Sequence, residues 1–282
     1  MKTDTPGQFV IAGLGGFQAL LLGLCMLLAP GAGAREQVVV FDSTETPPVW
    51  SSSLTGGGMG GELLRLLSDE AGVTFSINYL PPARFRNSTS ANIVGNPNLL
   101  KTERNRAIFP IGVLHLAYVY YTPHHPALQI ASLADLSGHT LGVLRGTVEN
   151  RAQFASFDIN VEEADSIESL LRMLQRGRID LAVMVEVAGK HHIRQTFPEH
   201  VQDFAVTRIP GTSLPITMMV DLDSTDGREL ARRYRLALEK TVHTPQYDAI
   251  LRKYHGQDPA HLKADRELLD RLMNLYESTW DE

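Results

Sequence analysis

Glu62-Leu63-Leu64-Arg65-Leu66-Leu67-Ser68-Asp69-Glu70-Ala71-Gly72-Val73-Thr74-Phe75-Ser76-Ile77 switches from one hydrophobic period to another partway along. Leu63, Leu64 and Leu67 fall on one face of a helix, and Gly72 is placed to stop it, because glycine readily takes the left-handed conformation that ends helices. Beyond it, Val73, Phe75 and Ile77 alternate with polar residues, which predicts a strand. Upstream, Gln37-Val38-Val39-Val40-Phe41 is short, β-branched and closed by Asp42-Ser43-Thr44, so it reads as a buried strand. Strand, helix and strand in that order make a βαβ unit, and such a unit implies a parallel sheet.

The same order recurs further on. Thr140-Leu141-Gly142-Val143-Leu144 is a short strand, and Asp165-Ser166-Ile167-Glu168 has capping-box spacing ahead of an apolar stripe formed by Ile167, Leu170, Leu171 and Leu174. Gly177 ends that helix, and residues 179–185 read as the next buried strand. A helix capped at Asp226 carries Leu230, Tyr234, Ala237, Leu238 and Val242. Residues 261–276 form an amphipathic tail helix with Leu262, Leu269, Leu272 and Met273, expected to pack as a strap across the first lobe. Two stretches with paired prolines suit stiff crossings between lobes: 122–126, after the strand Leu116-Ala117-Tyr118-Val119-Tyr120-Tyr121, and 209–215. With both as crossings, lobe 1 comprises 35–121 plus 216–282, and 124–210 forms lobe 2.

The first 34 residues differ from the rest. An apolar run over 10–30 contains Leu20-Leu21-Leu22 and Met26-Leu27-Leu28, and Ala32-Gly33-Ala34 supplies the small residues of a signal-peptidase site. The run is near the lower length limit for spanning a bilayer, and the cleavage site favours a removed signal peptide over a retained anchor. Leu24 makes a poor lipobox, so Cys25, the single cysteine, is expected to leave with the signal. The mature chain would then hold no disulfide, which its length tolerates. Lys2 and Asp4 cancel, so the net charge stays at −6, and this mildly acidic balance excludes a general nucleic-acid binder.

Lys101-Thr102-Glu103-Arg104-Asn105-Arg106-Ala107-Ile108-Phe109-Pro110 places three cations and a hydroxyl just before the tyrosine strand. An Arg at a strand mouth presents a planar fork that grips a carboxylate in two parallel hydrogen bonds, and a Thr hydroxyl adds a third. Arg104 is therefore the candidate clamp and Thr102 its neighbour, with Arg106 and Arg84 as alternatives for the same place. The plain alternative is a solvated loop. Trp50, after Pro47-Pro48, is placed either to cover an apolar part of a ligand or to seal the first helix. His124-His125 and His191-His192 are adjacent pairs whose side chains diverge, so no metal site is expected, and no cofactor either. There is no Gly-x-Ser-x-Gly elbow, phosphate-binding loop or dinucleotide fingerprint, so no enzymatic activity is expected.

In their order and spacing these pieces resemble the family-3 extracellular solute-binding proteins, the two-lobed receptors of ABC importers for polar amino acids. Gly58-Met59-Gly60-Gly61-Glu62-Leu63-Leu64 resembles the family's opening of its first helix, and Pro82-Ala83-Arg84 and Lys101-Thr102-Glu103-Arg104 are similar to stretches of one branch. Leu133-Ala134-Asp135-Leu136-Ser137-Gly138, Gly142-Val143-Leu144-Arg145-Gly146-Thr147 and Gly177-Arg178-Ile179-Asp180 resemble second-lobe signatures, and 247–254 resembles the last core helix. The resemblance implies an α/β, type II periplasmic-binding-protein fold, each lobe a mostly parallel sheet flanked by helices. It implies a monomeric periplasmic receptor that closes over a small carboxylate-bearing solute for an ABC permease or a sensor. Arg104 and Thr102 would hold the carboxylate from one lobe, Gly146 and Thr147 from the other, where a helix start suits an anion. Where the family places an acid for the ligand ammonium, this chain has Val185, with Glu186 one residue later as the substitute. The alternatives on the same scaffold are a dehydratase-like elimination enzyme, with Glu186 or Glu45 as base, and a ligand-sensing or adaptor domain without a transport role.

Overall fold

A computed structural model describes residues 38–126, 128, 130, 132–147 and 151–280. The signal peptide expected over 1–34 lies outside these residues. The chain begins with β1 (Val39–Ser43), α1 (Gly58–Ala71), β2 (Phe75–Tyr79), α2 (Pro82–Arg86), β3 (Asn92–Gly95) and β4 (Arg106–Leu114). It continues through β5 (Leu116–Tyr121), β6 (Thr140–Leu144), α3 (Arg151–Ala155), β7 (Asn160–Ala164), α4 (Ile167–Gln175), β8 (Leu181–Val185) and α5 (Glu186–Thr196). It ends with β9 (Phe204–Arg208), β10 (Leu214–Asp221), α6 (Gly227–Thr241), α7 (Pro245–His255) and α8 (Pro259–Tyr276). Gly72 does stop α1: it sits at φ +62°, and Val73 N–H closes back onto Ser68 O.

Two five-stranded sheets result, ordered β2-β1-β3-β10-β4 and β7-β6-β8-β5-β9. In each, three strands run parallel, and the fourth position is taken by a strand from the chain's crossing between lobes. That strand runs antiparallel to both of its neighbours. Each sheet is therefore mostly parallel, as expected, with four strands in one direction and one against them: a strand that enters from the other lobe arrives at the opposite end of the sheet.

The first crossing lies earlier than the paired prolines suggest. β5 pairs with β8 and β9 of the second sheet, so the chain changes lobe at His115, and lobe 1 ends at Leu114 rather than at 121. The physical reason lies in β5 itself. Tyr118 and Val119 point to opposite faces, and each is buried in a separate apolar cluster on its own side of the second sheet. A strand apolar on both faces needs a central position. The chain returns between β9 and β10, over 209–213.

In lobe 1, α1 and α6 cover one apolar core in which Phe41, Leu63, Leu67, Phe109 and Tyr234 are fully buried. The buried phenols find partners: Tyr234 meets Ser68 Oγ at 2.8 Å, and Tyr247 donates to Ile111 O at 3.0 Å. β4 is an edge strand, which is why it tolerates Pro110 and why the sequence reads as a loop there. The tail closes this edge. Ile108 N–H donates to Thr279 Oγ1 at 3.0 Å, Trp280 Nε1–H donates to Ile108 O at 2.7 Å, and the Trp280 ring stacks on Phe109. Thr279→Val is expected to lower the unfolding free energy by about 1 kcal/mol, the net worth of one such bond. Urea denaturation measures it, and an unchanged midpoint would mean that water serves Ile108 N–H equally well.

Candidate functional site

Open α/β sheets expose backbone ends and loops beyond the carboxyl ends of their parallel strands, and ligands bind there. In this chain those ends converge from both sheets on one cavity of about 510 Å³, a size suited to a small organic molecule. Lobe 1 supplies the loop after β1, with Thr44, Glu45, Val49 and Trp50, then Phe85 of α2, and Gly95, Asn96 and Leu99 after β3. Lobe 2 supplies Leu144 at the end of β6, the turn from Asp165 to Glu168 entering α4, and Met184, Val185, Ala188 and His192 around the β8–α5 junction. Leu114, Leu214, Pro215 and Ile216, beside the two crossings, form the floor.

Trp50 is held in this wall by contact with α1. A Cβ on Gly60 would come within 2.6 Å of the indole ring, so only glycine lets the ring lie against the helix at that point. Glu45 accepts a hydrogen bond from Ser52 N–H at 2.8 Å. Partial burial pushes its carboxyl up, but the Ser52 bonds outweigh this and hold it below the usual carboxylate range. Asp165 is met by Arg145 Nε–H at 2.6 Å, and Glu168 by Arg172 Nη2–H at 2.7 Å. Burial lowers the His192 pKa, so the ring is neutral near pH 7.

Of the residues expected to contact the solute, Trp50 lines the cavity, and so do Glu45 and His192, which the sequence singles out as an alternative base and as half of a histidine pair. Arg104 Nη1–H donates to Asp221 Oδ2 at the far end of β10. Five residues of extended strand, about 16 Å, separate Asp221 from Ile216 in the cleft floor. Arg106 is buried at the same end and donates to Thr102 O and Ser90 O, while the Thr102 hydroxyl donates to Ser88 O at 2.9 Å. Arg84 is exposed on α2. Gly146 and Thr147 are exposed after β6, and the Thr147 hydroxyl turns back to Leu144 O at 2.7 Å. Val185 lines the cavity, but Glu186 points away from it and is 3% exposed. Arg104→Ala is expected to leave solute binding unchanged and to lower stability by about 1–3 kcal/mol, because it strips a buried carboxylate of its partner. Calorimetric titration and denaturation of the one variant check both halves.

The sequence reading missed a charged cluster behind the cleft floor. Glu186 takes Lys190 Nζ at 2.6 Å and Arg208 Nε at 2.8 Å, and Arg208 Nη1–H reaches Asp265 Oδ1 of α8 at 3.0 Å. His115, at the first crossing, places its ring nitrogens against Asp265 Oδ1 at 2.6 Å and Thr212 O of the second crossing at 3.1 Å. Arg208 Nη2 lies 3.4 Å from His255 Nδ1. One signal for this cluster is present in the sequence: Asp265 lies three residues after Leu262 and four before Leu269, on the apolar stripe of the tail helix.

The bilobed fold recurs among solved structures. The ligand-binding core of GluR0, in complex with L-glutamate, is 13% identical and aligns over 79% of this chain and 99% of its own, with a TM-score of 0.57. Substrate-binding domain 2 of GlnP from Lactococcus lactis, in an open conformation, is 18% identical over 80% and 97% of the two chains, with a TM-score of 0.57. A histidine kinase sensor domain with similarity to periplasmic binding proteins is 19% identical over 78% and 96%, with a TM-score of 0.53. No protein-family model and no curated protein matches the chain. Among the described residues no helix is long and apolar enough to cross a membrane.

Proposed function

We propose that this chain is an exported solute-binding receptor whose two lobes close over a small molecule, the closed form being read by a membrane partner. The observation that carries this reading is the cavity itself. Both lobes and both crossings build its walls, so a bound solute touches all of them only when the lobes are together. A ligand with contacts in one state alone shifts the open–closed equilibrium by its differential affinity. The fold is shared with substrate-binding domains of amino-acid importers and with a kinase sensor domain, which supports an ABC permease or a sensor kinase as the partner, and the periplasm as the compartment. The sequence reading gave the solute a carboxylate held by Arg104. With that guanidinium engaged by Asp221, the cleft geometry favours solute capture that does not use it.

The test is a thermal-shift screen of small solutes on protein recovered from cells expressing the full chain, with small-angle scattering on each hit. A ligand at a hundred times its Kd adds about 2.7 kcal/mol of stability, and closure reduces the radius of gyration. If no solute stabilises the protein, or hits leave its dimensions unchanged, the receptor reading is wrong.

A further inference from the structure

We infer that the cleft takes a small protonated amine with an apolar body, its positive group facing Glu45. This inference rests on the receptor reading above and names the chemistry of its ligand. Among the described residues lining the cavity there are three carboxylates and no Lys or Arg. Two of the three, Asp165 and Glu168, already hold the guanidinium groups of Arg145 and Arg172. Glu45 has no cation partner among the described residues. It is exposed, it accepts from Ser52 N–H at 2.8 Å, and the Ser52 and Ser51 side chains add to the bonds that keep it ionised.

Beside it, Thr44 is nine-tenths buried in the same wall, and its hydroxyl oxygen has no hydrogen-bond partner. A buried hydroxyl without a partner is costly, and a shift of this loop on binding would bring an ammonium N–H within its reach. Around this pair the wall is apolar, with Trp50 and Phe85 from lobe 1, and Leu144 and Met184 from lobe 2. Such a surface removes water from a hydrocarbon body, and aromatic rings tolerate a nearby cation. An anion in the same place would lose its hydration, face Glu45 and meet no positive side chain.

Four probes with one apolar body separate the possibilities: 2-phenylethylamine, 2-phenylethanol, 3-phenylpropionate and L-phenylalanine, titrated calorimetrically at pH 7 and low salt. The amine is expected to bind roughly tenfold tighter than the alcohol, the size of one charge-assisted contact, with 3-phenylpropionate weakest. Glu45→Gln keeps an acceptor for Ser52 N–H and should erase the amine's advantage while leaving 2-phenylethanol binding unchanged. Tighter binding of 3-phenylpropionate or L-phenylalanine, or an amine preference that survives Glu45→Gln, overturns the amine inference and leaves the receptor reading standing. Failure of all four probes to bind overturns the inference too, and the solute screen then decides separately whether the cleft is a receptor site at all.

Discussion

Replacing Asp265 by alanine is expected to lower the unfolding free energy by about 3–5 kcal/mol, the range for breaking a buried ion pair from one side. Asp265 is 1% exposed, and its carboxylate is the point where three parts of the molecule meet: the tail helix α8, His115 at the first crossing, and Arg208 at the end of β9. Removing it leaves Arg208 with Glu186 alone and His115 without its carboxylate, both in a place that water does not reach. The penalty comes from the uncompensated charge rather than from the lost bond, so the neutral isostere Asp265→Asn should cost nearly as much. Glu229→Ala, which breaks a fully exposed pair with Arg232, should cost far less. Urea denaturation of the three variants decides the matter. An Asp265→Ala loss no larger than that of Glu229→Ala would mean that water reaches the cluster. The same variant should also loosen the lobes, because Asp265 fastens the tail to the first crossing at His115 and to β9 of the second sheet at Arg208.

Acidification is expected to remove about 3 kcal/mol of stability between pH 7 and pH 4, and His255 is the main cause. Burial pushes its pKa down to about 4, and the Arg208 guanidinium beside it acts in the same direction, against the opposing pull of Asp265 and Glu186. The neutral ring accepts from Arg208 through Nδ1, and protonation would set two cations against each other. In the unfolded chain His255 takes up its proton near 6.5, but the folded protein resists until about 4. The unfolded state therefore binds more protons throughout this window, and stability falls as pH falls. Two carboxylates extend the trend. Burial raises Asp265 and Glu186, but their cationic and hydrogen-bonding neighbours outweigh it and hold both below the usual range. Their contribution is present above the unfolded carboxylate pKa and is lost on further acidification through the folded values. His255→Gln should flatten the profile between pH 6.5 and pH 4 and leave the steeper fall below it. A wild-type profile flat over that window would show that the ring is not buried as described.

The elements most legible in the sequence are those whose signal is local. The strand at 140–144 appears at the residues expected, α1 stops at Gly72, and α4 begins one residue from the expected cap, with Ser166 accepting from Ser169 N–H. These depend on periodicity and cap chemistry, which neighbouring residues fix. β4 was not legible, because Pro110 reads as a break until the strand is known to lie at an edge. The lobe to which β5 belongs depends on which sheet offers it two neighbours, and those neighbours, β8 and β9, lie some 60 to 90 residues further on.

The cleft divides in the same way. The place of Trp50, against the first helix and at the cavity wall, follows from Pro47-Pro48 and the glycines after it, which set its surroundings within a dozen residues. The direction of the Arg104 guanidinium was not legible, since Asp221 is 117 residues away in sequence. Val185 and Glu186 show the division within a single peptide bond. The sequence places an acid beside the cleft. The turn from β8 into α5 sends Val185 to the cavity and Glu186 to Arg208 and Lys190 behind it. By itself the sequence determined that this chain makes helices and strands in an order that builds two α/β lobes, since hydrophobic period and caps act over a few residues. Which charges face the cleft and which cancel in the interior was decided only by tertiary structure, because an ion pair forms between whichever opposite charges folding brings within a few ångströms.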